Sequence, residues 1–178
     1  MKHKYTLLIY TENHIGLLNR ISIIFTRHKV NIESLNTSPS MGENIHSFVI
    51  TIITSRDKAE HLRKLIEKQV EVLKAFIYEE NQVIAMGVAL FKISTSSIGA
   101  NNILEQLIRS SSARIIAVEP EFIVVEKTGT QDDIKNFLDS LSGFDVREFI
   151  QSGRVVVTRP MGKLTDYLRQ MSEMEEKD

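Results

Sequence analysis

The chain has 178 residues, 42% apolar and 25% charged, which suits one ordinary domain or two small ones and argues against extended disorder. Its 22 basic and 23 acidic side chains leave a net charge of -1, and no run of four or more Lys/Arg occurs, so a nucleic-acid binder is not expected. With no cysteine, disulfides, zinc-thiolate sites, iron–sulfur clusters and thiol nucleophiles are excluded together.

The N-terminus, Met1-Lys2-His3-Lys4, resembles the charged start of a signal sequence. The apolar stretch behind it is only Leu7-Leu8-Ile9 before polar Thr11-Glu12-Asn13-His14. No stretch is long and apolar enough to span a membrane, so a cytoplasmic protein is the expectation.

Tyr5 to Tyr10 reads as a strand. From Gly16 the period changes to helical, with Leu17, Leu18, Ile21, Ile24 and Phe25 recurring and Asn13 or His14 near the start. Val30 to Leu35 is strand-like, Ser38 to Asn44 reads as a turn, and Ile45 to Thr54 is a strand. Within it, Ser47 and Thr51 predict one face less deeply buried than the other. A second amphipathic helix over Asp57 to Gln69 buries Ala59, Leu62, Leu65 and Ile66, with Ser55 or Asp57 as cap. Val70 to Tyr78 returns to strand, and Glu79-Glu80-Asn81-Gln82 forms a boundary.

The order then repeats. Val83 to Ile93 is a strand, Ser94 to Asn101 a loop with helix cap, and Ile103, Leu104, Leu107 and Ile108 a helical stripe. Arg114 to Val118 and Phe122 to Val125 are strands joined through Glu119-Pro120-Glu121. A fourth helix carries Ile134, Phe137, Leu138 and Leu141, entered through Gly129-Thr130-Gln131-Asp132-Asp133. Val146 to Val157 is strand-like but interrupted at Gln151-Ser152-Gly153. The simplest account is an α+β protein of two tandem ferredoxin-like βαββαβ modules, each a four-stranded antiparallel sheet with two helices on one face. A module of about 80 residues is marginal alone, which favours dimerisation. The polar stretch over 163–178 reads as a loose helix or a frayed tail.

Little in this pattern carries chemistry. His3, His14, His28, His46 and His61 fit no metal-ligand spacing, so no metal is expected and the histidines read as scattered surface residues. No GxGxxG, GxxxxGK[ST] or GxSxG motif occurs. The Glu79/Glu80 and Asp132/Asp133 pairs fall where solvent reaches them, unlike a catalytic carboxyl held dry. The most informative stretch is Glu12 to Arg20, where a polar side chain and a glycine stand between the first strand and the first helix. Free N–H groups there can hold a small carboxylate, with Gly16 allowing close approach and Asn13 presenting an amide. A capped helix in which Asn13 serves only the backbone explains the same residues. Asn31 likewise reads as a binding amide or an Asx-turn residue.

Thr11-Glu12-Asn13-His14-Ile15-Gly16-Leu17-Leu18-Asn19-Arg20, followed by Asn31-Ile32-Glu33-Ser34-Leu35, closely resembles the family of acetolactate (acetohydroxyacid) synthase small regulatory subunits. Members begin with an ACT domain, an amino-acid-sensing βαββαβ module. Ile115-Ile116-Ala117-Val118, Gly129-Thr130, Ile134-Lys135-Asn136-Phe137-Leu138 and Ser152-Gly153 follow the family's second domain, so the resemblance covers about residues 4 to 160. Two departures stand out: Ile15 replaces a usual proline, and His28-Lys29-Val30 replaces a glycine-aromatic pair before Asn31.

The resemblance implies an ACT domain over 1–79 for sensing and dimerisation, a ferredoxin-like domain over 80–162 and a polar tail over 163–178. It implies a homodimer joined side by side through the ACT sheets, with valine or another branched-chain amino acid bound between subunits. Asn13 and Gly16 come from one subunit and Asn31 from its mate, while His14, Ile15, Leu17 and Leu18 supply loop backbone or apolar wall. The implied partner is the catalytic large subunit, activated by this chain and inhibited when the amino acid binds. Thiamine diphosphate, Mg²⁺ and FAD belong to that partner, none to this chain. Other readings are a stand-alone ACT-type sensor, a small ferredoxin-like enzyme, or an RRM-like nucleic-acid binder, the last poorly served by Phe48 as its one aromatic in the third strand.

Overall fold

The computed structural model describes residues 1–40, 44–98 and 102–160. The elements run β1 (His3–Glu12), α1 (Leu17–Arg27), β2 (Ile32–Pro39), β3 (Ile45–Thr54), α2 (Arg56–Glu67) and β4 (Val72–Glu79). A short 3₁₀ turn over Glu80–Gln82 leads into β5 (Val83–Ser94), α3 (Ile103–Ser110), β6 (Arg114–Val118), β7 (Phe122–Gly129), α4 (Gln131–Ser140), β8 (Val146–Gln151) and β9 (Val155–Thr158). The expected tail over 163–178 lies outside the described residues, as do parts of the expected turns at 41–43 and 99–101.

Both βαββαβ modules form, with the same strand order. The first sheet is β2-β3-β1-β4 and the second β6-β7-β5-β8, every pair antiparallel. A further strand appears in the second sheet: β9 pairs with β5, and the Arg159 N–H just beyond it donates to the Gln82 carbonyl at 2.9 Å. The expected interruption at Gln151-Ser152-Gly153 is the break between β8 and β9. The described residues divide into two compact units, Met1–Ile84 with 156–160, and Ala85–Val155.

Each unit has its own core, built by the periodicities in the sequence. In the first, Tyr5, Leu7 and Ile9 of β1 and Phe48, Ile50 and Ile52 of β3 meet Leu17, Ile21 and Phe25 of α1 and Ala59, Leu62 and Ile66 of α2. In the second, Ala89, Phe91 and Ile93 of β5 meet Leu104 and Ile108 of α3 and Ile134 and Phe137 of α4. The Phe91 and Phe137 rings lie 5.1 Å apart, edge to face.

The first helix of each module stops in the same way. After α1, Lys29 takes φ 52°, its N–H donates to Thr26 O and the Val30 N–H to Phe25 O. After α3, Ser112 takes φ 53°, with Ser112 N–H on Arg109 O and Ala113 N–H on Ile108 O. These are Schellman closures in which a side-chain-bearing residue occupies the left-handed position that glycine fills best.

Two local expectations are corrected and one is refined. β2 runs through Ser38 and Pro39, because an edge strand tolerates a proline that lacks an N–H to donate. The face of β3 that carries Ser47 and Thr51 is the less buried one, as expected, with Ser47 half-buried and Ile53 49% exposed. Thr51 itself is only 1% exposed, beside Thr6 of β1 and Ser34 of β2, and none of the three hydroxyls has a hydrogen-bond partner among the described residues. α2 starts one residue earlier than expected and ends at Glu67, and Ser55, at its N-cap position, makes no side-chain capping bond.

Candidate functional site

The Asn13–Gly16 loop joins the end of β1 to the start of α1. It is pinned on both sides: the Glu12 N–H donates to Glu71 O and the Asn13 N–H to Asn44 O, each at 2.9 Å. Gly16 sits at the N-cap with φ 85° and ψ -5°, and open space surrounds the position of a would-be Cβ. The His14 carbonyl takes the Leu17 N–H at 3.3 Å, which closes the turn.

Asn13 does not cap the helix. Among the described residues no side chain bonds the α1 N-terminus, and its first turn holds no acidic residue, so the partial positive charge of that end is available to an anion. The Asn13 side chain is exposed and makes no hydrogen bond among the described residues. Ile15 is fully exposed and Leu18 is 44% exposed, whereas Leu17 is buried in the core. An anion could therefore meet backbone N–H groups at Gly16 and in the first turn, with Ile15 and Leu18 as apolar neighbours.

One ion pair braces this loop that sequence reading missed. Arg20, in the first turn of α1, meets Glu71 Oε1 at 2.5 Å. The hydrogen bond from Arg20, aided by charge on Arg20 and His14, holds the Glu71 carboxyl below the usual carboxylate range. Its other oxygen, Oε2, is shielded from solvent and has no hydrogen-bond partner among the described residues. No local pattern links residues so distant in sequence.

Asn31 lies elsewhere. It precedes β2, where Ile32 stands beside Ile52 and Ile52 beside Tyr5, near the start of β1. The loop follows Glu12, seven residues further along β1, or roughly 23 Å at strand rise. A single chain therefore brings Asn13, His14, Ile15, Gly16, Leu17 and Leu18 together and leaves Asn31 at the opposite end of the sheet. Asn31 instead donates its side-chain amide to Glu33 Oε1 at 3.1 Å. A cleft of about 690 Å³ lined in part by His3, Tyr5, Arg56 and Glu79 also lies at the far end from the loop.

The histidines are not all scattered. His28, at the end of α1, and His61, on α2, bring their ring centroids to 5.0 Å at an interplanar angle of 70°. Among the described residues no group of three or more His, Cys, Asp or Glu is placed to hold a metal ion, and no helix is long and apolar enough to cross a membrane.

Comparison with known proteins gives a consistent result. Residues 7–74 match the family described as the AHAS small subunit-like ACT domain, and residues 87–160 the family described as the small subunit of acetolactate synthase. The acetolactate synthase small subunit of Mycolicibacterium smegmatis is 28% identical over 155 residues, covering 87% of this chain and 91% of that one. The Bacillus subtilis protein of the same description is 28% identical over 161 residues, covering 89% and 91%. A crystal structure of the acetolactate synthase small subunit from Thermotoga maritima superposes with a TM-score of 0.81 at 22% identity, covering 90% of this chain and 99% of that one, and shares the fold.

Proposed function

This chain belongs to the acetolactate synthase small-subunit family, and on that premise we propose that it activates the catalytic large subunit and makes it answer to a branched-chain amino acid. The large subunit carries the chemistry, with its thiamine diphosphate, Mg²⁺ and FAD; this chain contributes binding and coupling. In this reading residues 1–79 sense and dimerise, residues 80–162 form the second domain, and 163–178 is a polar tail.

The observation that carries the effector site is the α1 N-terminus, which has no side-chain cap among the described residues. An amino acid's carboxylate fits the Leu18 and Asn19 N–H groups of the first turn, the Leu17 N–H being held by His14 O, where the helix dipole favours negative charge and no side chain among the described residues bonds. The Asn13 amide oxygen is available to the ammonium group, and Ile15 and Leu18 to an aliphatic side chain. His14 and Leu17 serve through the loop backbone.

Asn31 enters this site only from a second copy. β2 is an edge strand, and its Pro39 end stands beside His46, next to Thr11 and therefore at the loop's end of the sheet. Antiparallel pairing of two β2 edges brings the start of one β2, with Asn31, to the end of the other. The effector then bridges two copies, and its differential contacts in two states of the assembly are what couple binding to activity.

The test is acetolactate formation by the cognate large subunit, with and without this protein, while valine, leucine and isoleucine are titrated in turn. Activation reversed by one of them supports the whole reading and identifies the effector. Activation without inhibition keeps the partner but rejects the sensor. No effect on the enzyme rejects the regulatory role and favours a stand-alone sensor.

A further inference from the structure

We propose that β6 pairs edge to edge with β6 of a second copy of this chain, antiparallel about a two-fold axis, Ile115 of each opposite Val118 of the other. β6 closes one side of the second sheet, and among the described residues its outer edge pairs with no other strand. Unlike the polar β2 edge (Ile32-Glu33-Ser34-Leu35-Asn36-Thr37-Ser38-Pro39), it reads Arg114-Ile115-Ile116-Ala117-Val118. Ile115 is 45% exposed, Ile116 50% and Val118 71%. An apolar edge with open backbone groups, and no proline or inward lysine to blunt it, is a template for another strand.

The bulge in β6 fixes the register. Ile115 stands opposite Val125 and Ala117 opposite Val124, so Ile116 is the extra residue. The Glu119 N–H turns inward, donating to Phe122 O at 2.8 Å. Alternation from Glu119, with Ile116 and Ala117 acting as one step, turns the N–H and C=O groups of both Val118 and Ile115 outward. In a two-fold antiparallel pair, these two residues exchange hydrogen bonds only when placed opposite each other.

That register also satisfies charge. It sets Arg114 of each copy opposite Glu119 of the other, one opposite-charge pair at each end of the apolar segment. Parallel pairing offers no such match. The complementarity between the two ends of β6 selects a second copy of this chain over an unrelated strand. Arg114 also pairs with Glu126 on β7, and its side chain stays 75% exposed and so open to a second carboxylate.

The absence of cysteine gives a clean test on the full chain. In the variant Ile115→Cys/Val118→Cys, mild oxidation is expected to give a covalent dimer with both thiols consumed, since the two Cα atoms of a hydrogen-bonded pair lie at about 5.5 Å, within disulfide reach. In the unmodified chain, hydrogen exchange at the Ile115 and Val118 amides is expected to slow about tenfold or more as protein concentration rises. Glu119→Lys, which sets Lys opposite Arg114, is expected to abolish both effects while the β7 amides remain protected. Exchange that is independent of concentration, cross-linking that Glu119→Lys leaves unchanged, or protection that appears only when the large subunit is added would each overturn the proposal.

Discussion

Arg20 and Glu71 form a 2.5 Å ion pair between the first turn of α1 and the residue before β4, while the Glu71 carbonyl receives the Glu12 N–H. One residue thus clamps both sides of the Asn13–Gly16 loop. The arrangement makes Glu71 a positioning residue for the loop.

Glu71→Gln is expected to lower the melting temperature at neutral pH. The Glu71 carboxyl titrates below its ordinary range because Arg20 binds its ionised form. A folded pKa below the unfolded one means the pair stabilises above the unfolded pKa and is lost as pH falls through the folded one. Thermal melts of the two proteins should therefore differ most near neutrality and converge in acid. A pH-independent difference would contradict this account.

At Gly16 the expected effect is conformational. Gly16→Ala meets no steric obstacle but must hold φ 85°, so it should cost about 1–2 kcal/mol in urea denaturation. Asn13→Ala, at an exposed side chain without hydrogen bonds, should change stability by less than about 0.5 kcal/mol. If Asn13 contacts the effector, Asn13→Ala weakens inhibition while activation of the large subunit stays intact. Parallel inhibition curves would remove Asn13 from the site.

Lys29→Gly and Ser112→Gly should each stabilise the protein. Both residues sit in left-handed positions at φ 52° and 53°, so relief of that strain outweighs the added freedom of the unfolded glycine, by up to about 1 kcal/mol. Chemical denaturation of each variant checks the sign.

In the second module, Thr130 accepts the Asp133 N–H while Asp133 takes the Thr130 N–H, a reciprocal cap on α4. Thr130→Ala should cost about 1 kcal/mol. It should also bring the Asp133 carboxyl back toward its ordinary range, since Thr130 is the main cause of its depression. Titration of Asp133 by NMR reads this directly.

Phe91→Ala should cost about 3–5 kcal/mol, because it empties the centre of the second core and removes the edge-to-face contact with Phe137. The two cores share no residue. Hydrogen exchange should therefore rise throughout β5, β7 and α4 and leave the Leu7, Ile9 and Ile50 amides protected. Equal deprotection of both modules would show that they unfold as one.

The sequence by itself determined the order of elements and the composition of both cores. Alternation in Tyr5, Leu7 and Ile9 and helical spacing in Leu17, Ile21 and Phe25 are local, and local periodicity decides which side of an element turns away from water. It also exposed the Asn13–Gly16 loop, since glycine between a strand and a helix marks a backbone need that composition can report. Tertiary structure alone decided the rest. It buried Thr51 beside Thr6 and Ser34, brought His28 to His61 and Arg20 to Glu71, and placed Asn31 at the sheet end away from Asn13. Each depends on which strands become neighbours and in what register, and a sequence pattern fixes a residue's face without fixing its partner across the sheet.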